Sequence, residues 1–248
     1  MRSARSRQTQ RRASRALGLL ALIPTFSVLL ATSAYADLSA AGGSAFGEQV
    51  RVGVINSGPL PTTTAPPGGT NTLASVSVPG LLQVGVLTVS SNATTGPSGS
   101  VSSTANAANV TIGSALLTVS ALASQCHSDS TGHQSGAATV GTVTVRGNPV
   151  TVTSAPNTTL SIPGVGTATF NEQIPAANSI TVNAVHVHLT GALGSGEVVI
   201  AQSMCSATAS GVQVPSGAFG GVLLTGLVAF AFGGYQLTSS RLRRRTHH

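Results

Sequence analysis

His186 and His188 are the residues best placed to do chemistry. On a strand, side chains alternate with a period of two, so both imidazoles fall on one face. Two imidazoles so placed can begin a zinc or copper site. A third ligand would have to come from Glu172, Glu197, His127 or His133. The plainer reading is a pair of surface histidines on a strand whose other face carries Val185 and Val187. No third ligand stands at a metal-site spacing, so the plainer reading is preferred.

Other catalytic patterns are weaker. Serine is abundant, but there is no G-x-S-x-G elbow. Scattered carboxylates do not suggest a glycosidase pair. Gly164-x-Gly166 and Gly194-x-Gly196 lack the third glycine and the following helix of a phosphate-binding loop. The expectation is therefore a non-enzyme with no cofactor and no catalytic residue.

Cys126 and Cys205 are the only two cysteines. An even count in an exported chain argues for a disulfide between them, because thiols outside the cytoplasm are not kept reduced. The bridge would close a loop of about 80 residues and contribute roughly 4–5 kcal/mol in the chain-entropy model.

The elements that must position these residues read as strands. Lysine and tryptophan are absent, and aromatics make up only 3% of the chain, so the core must be built from Val, Ile, Leu and Ala. High Thr, Val and Gly with little Glu disfavours helix. Alternation marks strands around residues 49–56, 73–78, 81–90, 139–146, 167–174, 180–189 and 197–204. Residues 110–124 read as a buried strand pair, with helix as the alternative over 115–123. Residues 57–69 read as a Pro/Gly/Thr loop, 91–109 as loop or weak strand, and 127–136 as a polar loop. Residues 191–196 form a Gly-rich hairpin loop between the last two strands. Ile180, Val182 and Ala184 share one face, whereas Val185, Val187 and Leu189 take the other. Either a β-bulge near Ala184–Val185 or a strand buried on both faces would reconcile them. The expected fold is an all-β antiparallel sandwich of roughly nine to eleven strands.

The formal charge of +7 lies at the ends of the chain. Arginines cluster in residues 2–15 and 241–245, and between them only Arg51 and Arg146 face five carboxylates. A nucleic-acid surface needs clustered Lys/Arg on the folded domain, so nucleic acid is not an expected partner.

The ends read as targeting segments. Residues 1–36 have a basic start, a short apolar run and Ala34-Tyr35-Ala36, the pattern of a secretory signal cleaved between Ala36 and Asp37. The pair Arg11-Arg12 raises twin-arginine export, but its flanks fit the general route better. Residues 37–212 form the ectodomain, 213–240 a transmembrane anchor and 241–248 a basic tail. A helix over 216–237 would rise about 32 Å, close to the roughly 30 Å hydrocarbon core. Arg241, Arg243, Arg244 and Arg245 would hold the C-terminus in the cytoplasm. Val214-Pro215-Ser216-Gly217 falls one residue short of the L-P-x-T-G sorting pattern, so a retained anchor is favoured.

Four patches carry a family resemblance: Ser44-Ala45-Phe46-Gly47, Thr169-Phe170-Asn171-Glu172-Gln173, residues 180–187 and residues 198–205. Together they resemble the choice-of-anchor P family of exported actinobacterial surface proteins, over most of residues 40–207. The resemblance implies cell-surface display behind a variable C-terminal anchor, and it brings no catalytic residues.

The favoured expectation is a non-catalytic envelope protein displaying a disulfide-stapled β-sandwich for a structural or binding role. Its partners would be the membrane, through the C-terminal helix, and cell-wall polymer or other surface proteins. The alternative is a surface-anchored metal-dependent enzyme or metal-binding protein using His186 and His188.

Overall fold

The computed structural model describes residues 37–210. Every regular element among them is a strand. In chain order they are β1 (Asp37–Val52), β2 (Ile55–Ala65), β3 (Gly69–Leu73), β4 (Val76–Val78), β5 (Leu82–Val84), β6 (Leu87–Thr94), β7 (Ser100–Ile112) and β8 (Leu117–Asp129). There follow β9 (Gln134–Val140), β10 (Val143–Val145), β11 (Asn148–Val150), β12 (Thr158–Ile162), β13 (Gly166–Pro175), β14 (Ser179–Gly191) and β15 (Gly194–Ser210).

The strands form two antiparallel sheets packed as a sandwich. The first runs β12-β13-β14-β15-β1-β2. The second is built on the β7–β8 hairpin: β5 and β6 share the outer edge of β7, and β9 and β10 share that of β8. β15 packs across both β7 and β8. The expected all-β antiparallel architecture is therefore present. The fifteen strands exceed the expected count because the outer positions of the second sheet are each split in two and several elements are only three residues long. Three residues are too few to show a period.

Several local expectations are corrected. Residues 57–69 are largely strand. β2 is an edge strand paired only with β1, so Pro59 and Pro61 withhold no N–H that a second neighbour needs. Residues 91–109 finish β6 and make up most of β7. Residues 110–124, by contrast, are the expected strand pair, the end of β7 and the start of β8, and the helix alternative over 115–123 falls away. The loop over 127–136 shrinks to a short turn, closed by Asp129 Oδ1 accepting from the backbone N–H groups of Thr131 and His133. The last hairpin is tighter than expected: Gly191 pairs with Gly194 across Ala192 and Leu193.

The phase change in β14 has a different cause from a bulge. Pairing of β14 with β13 and with β15 keeps one register from end to end. Yet its buried side switches from Ile180 and Val182 to Val185, Val187 and Leu189. The switch falls at Ala184, flanked in the neighbouring strands by Asn171 (φ 49°) and Ala201 (φ 54°), both left-handed. β15 switches there too, from Val198 and Ile200 to Ser203 and Cys205, and β1 switches at Gly47. Asn171 and Ala201 reverse the pleat without adding a residue, so the register is the same on both sides of the row, while the row's own pairs, Asn171 with Ala184, Ala184 with Ala201 and Gly47 with Ala201, drop out of the ladder. Gly47 is the small member of the row. A Cβ there would lie 2.8 Å from Pro61 Cδ and 2.9 Å from Leu60 O. The second sheet inverts at a matching row, at Asn109 (φ 54°) in β7 and Ser120 in β8.

The core lies between the sheets and is aliphatic, as the composition required. Phe170 is its largest fully buried side chain, joined by Leu87, Ile112, Leu117, Leu189 and Ile200. Cys126 in β8 and Cys205 in β15 are disulfide-bonded, with Cα atoms 5.8 Å apart, so the bridge spans the two sheets. Polar stitches support it. Asn171 Oδ1 accepts from Ala138 N at 2.8 Å, and Gln173 Nε2 donates to Gly136 O at 2.9 Å. Both bonds reach from β13 to β9 and satisfy backbone groups on an edge strand.

Candidate functional site

His186 sits on β14, an interior strand of the first sheet, on the face turned away from the core. Its neighbours in register are Thr169 on β13 and Val199 on β15. His188, two residues on, shares that face and stands directly opposite Glu197. The two imidazole rings lie 4.2 Å apart, tilted by 44°.

His186 is held from behind by a carboxylate. Its Nδ1 lies 2.8 Å from Glu172 Oε2, which also accepts from Asn183 Nδ2 at 2.6 Å. Asn183 Oδ1 in turn accepts from Gln202 Nε2 at 2.7 Å. The chain Gln202, Asn183, Glu172, His186 fixes the ring and favours the tautomer with its proton on Nδ1. This contact depends on the pleat inversion. Asn183 and His186 are three residues apart and would face opposite sides of a regular strand. Because the face reverses at Ala184, both reach Glu172.

The electrostatics follow. The hydrogen bond from His186 holds the Glu172 carboxyl below its ordinary value; burial opposes the shift and Asn183 adds to it. The same bond raises the His186 imidazolium above its ordinary value despite burial. His186 Nε2 points the other way. It is buried, has no hydrogen-bond partner, and lies 3.4 Å from Glu197 Oε2. The other oxygen of Glu197 lies 3.5 Å from Arg51 Nη1 on β1.

The ligating atoms of His186, His188 and Glu197 all lie within 4.8 Å of one another. Of the third ligands considered from sequence, the structure brings Glu197 to the histidines and places Glu172 behind His186. His127 and His133 belong to the β8–β9 hairpin of the second sheet and do not join them. Asn183 and Gln202 carry no signal in the sequence, since their roles depend on the inverted row. The asparagines at 109 and 171, which tolerate the left-handed region better than most residues, are the one hint of that row. Ala36, the anchor over 213–240 and Arg241, Arg243, Arg244 and Arg245 lie outside the described residues; Asp37 opens β1. Among the described residues no helix is long and apolar enough to cross a membrane. No protein-family model matches this chain, and no curated protein or solved structure matches it either.

Proposed function

We propose that this protein is exported, tethered by its C-terminal segment, and displays its sandwich at the cell envelope in a non-catalytic structural or binding role. The observation that carries the reading is the buried Cys126–Cys205 bridge between the sheets. A chain with no free cysteine among its described residues and a structural disulfide at its centre suits an oxidising compartment. The signal-like residues 1–36 and the apolar stretch followed by arginines at 241–245 point the same way, as does the resemblance to choice-of-anchor P proteins. Among the described residues the Phe, Tyr and Trp side chains are limited to the half-buried Phe46 and the buried Phe170, which argues against a sugar-binding platform. The partners it would meet are cell-wall polymer, other surface proteins or its own copies, and no nucleic acid.

Protease treatment of intact host cells, followed by non-reducing mass spectrometry, tests this. The expected result is cleavage from outside and a membrane-associated chain with no alkylatable thiol. A cytoplasmic protein with two free thiols would overturn the reading.

A further inference from the structure

We propose that His186, His188 and Glu197 form a binding site for one divalent transition-metal ion of the zinc class, with Glu172 orienting His186 from behind. This goes beyond display at the envelope and does not depend on it.

The donor set is the first argument. Two imidazoles and a carboxylate are ligands that zinc takes readily, and nickel, copper and cobalt share that preference. Zinc bonds to N and O of about 2.0–2.1 Å place tetrahedral donors about 3.3–3.4 Å apart. His186 Nε2 and Glu197 Oε2 are 3.4 Å apart. That separation suits two atoms sharing a cation. A direct charge-assisted hydrogen bond would draw them to about 2.7–2.9 Å, the distance that His186 Nδ1 keeps to Glu172.

The second argument is what stands behind the ligand. Metal-binding histidines commonly donate their other ring N–H to a carboxylate, which fixes the tautomer and raises the basicity of the ligating nitrogen. Glu172 occupies that place, and Asn183 and Gln202 hold it there. The nitrogen left over, Nε2, is buried, makes no hydrogen bond and has only the 3.4 Å approach of Glu197 Oε2. A buried ring nitrogen without a hydrogen bond is destabilising, and a cation would relieve it. Ion pairing of an imidazolium with both carboxylates accounts for the Nδ1 contact and allows a longer approach of Nε2 to Glu197, whereas a shared cation accounts for that 3.4 Å spacing directly.

The third argument is rigidity and access. β14 and β15 are interior strands of one sheet, so the ligands ride on backbone held from both sides. His188 is exposed, which gives an ion a path from solvent. Arg51 takes Glu197 Oε1 and leaves Oε2 directed at His186. Three protein ligands leave a fourth position for water.

The test uses the tag-free full-length protein in detergent, stripped with a chelator and titrated with Zn²⁺ by calorimetry and with Co²⁺ by visible absorption. One equivalent per chain is expected, with a tetrahedral Co²⁺ spectrum and a raised Tm on adding Zn²⁺. His188→Ala changes an exposed side chain, so folding is kept, and it should weaken Zn²⁺ binding at least 100-fold. Glu172→Gln should weaken it roughly 10–100-fold while stoichiometric binding persists. Absence of binding below millimolar Zn²⁺ would overturn the proposal. So would binding left unchanged by His188→Ala, which would place the ion on other histidines such as His247 and His248.

Discussion

Glu172 and Glu48 hold equivalent places on opposite faces of the same sheet. Each follows a member of the inverted row, Asn171 or Gly47. Glu172 faces outward and its Oε2 meets two donors, from Asn183 and His186. Glu48 faces inward, fully buried; Ser57 Oγ donates to its Oε1 at 2.8 Å, and its Oε2 has no partner. Their carboxyls respond in opposite directions. Glu172 is held below its ordinary value, whereas burial pushes Glu48 above it against the weaker pull of Ser57. The donors reaching a carboxylate, rather than its position in the fold, decide whether its charge is favoured.

Removing the well-served carboxylate should have the largest effect. Glu172→Leu strands the Asn183 amide, which is 2% exposed, and frees the His186 ring. A loss of about 2–3 kcal/mol is expected, read from urea unfolding of metal-free protein. Little or no loss would mean that the outer network contributes nothing to the fold.

The poorly served carboxylate should show in the pH dependence. A carboxyl whose folded value is raised binds its proton more tightly in the folded state. Its contribution is fully present below the ordinary value, about 4.3, and is lost as pH rises through the raised value. Stability should therefore fall by up to about 1.4 kcal/mol per pH unit within that window. Glu48→Gln should remove that slope. Glu172 has the reverse sign, stabilising above the ordinary value and losing that contribution as pH falls through its lowered one. A Glu48→Gln profile that parallels the wild type would show that Glu48 is not the source.

His188→Ala should have the smallest effect on stability, within about 0.5 kcal/mol without metal, because the side chain is exposed and accepts no described hydrogen bond. A larger loss would mean that its contact with the His186 ring supports the network.

Much of the strand content was legible. Val143 and Val145, or Val50 and Val52, alternate with polar residues because one side of each strand meets an aliphatic core. The pairing of Cys126 with Cys205 followed from their being the only two. The edge strand β2 was not legible, because prolines that break an interior strand are tolerated where one neighbour is missing. The outer network was not legible either. The odd spacing of Asn183 and His186 argued against their sharing a partner, and only the reversal at Ala184 brings both to Glu172.

Period-two alternation and cysteine count are local properties of the chain, and they were enough to specify an all-β domain with a Val/Ile/Leu/Ala core and one cystine. The sequence also singled out His186 and His188, since residues two apart share a face whatever the fold. The rest came with three-dimensional packing. It chose Glu197 over His127 and His133 by setting β15 beside β14, and it put Glu172 behind His186 through a row of residues that inverts across several strands at once. A row perpendicular to the chain joins residues far apart in sequence, and no pattern along the chain records it.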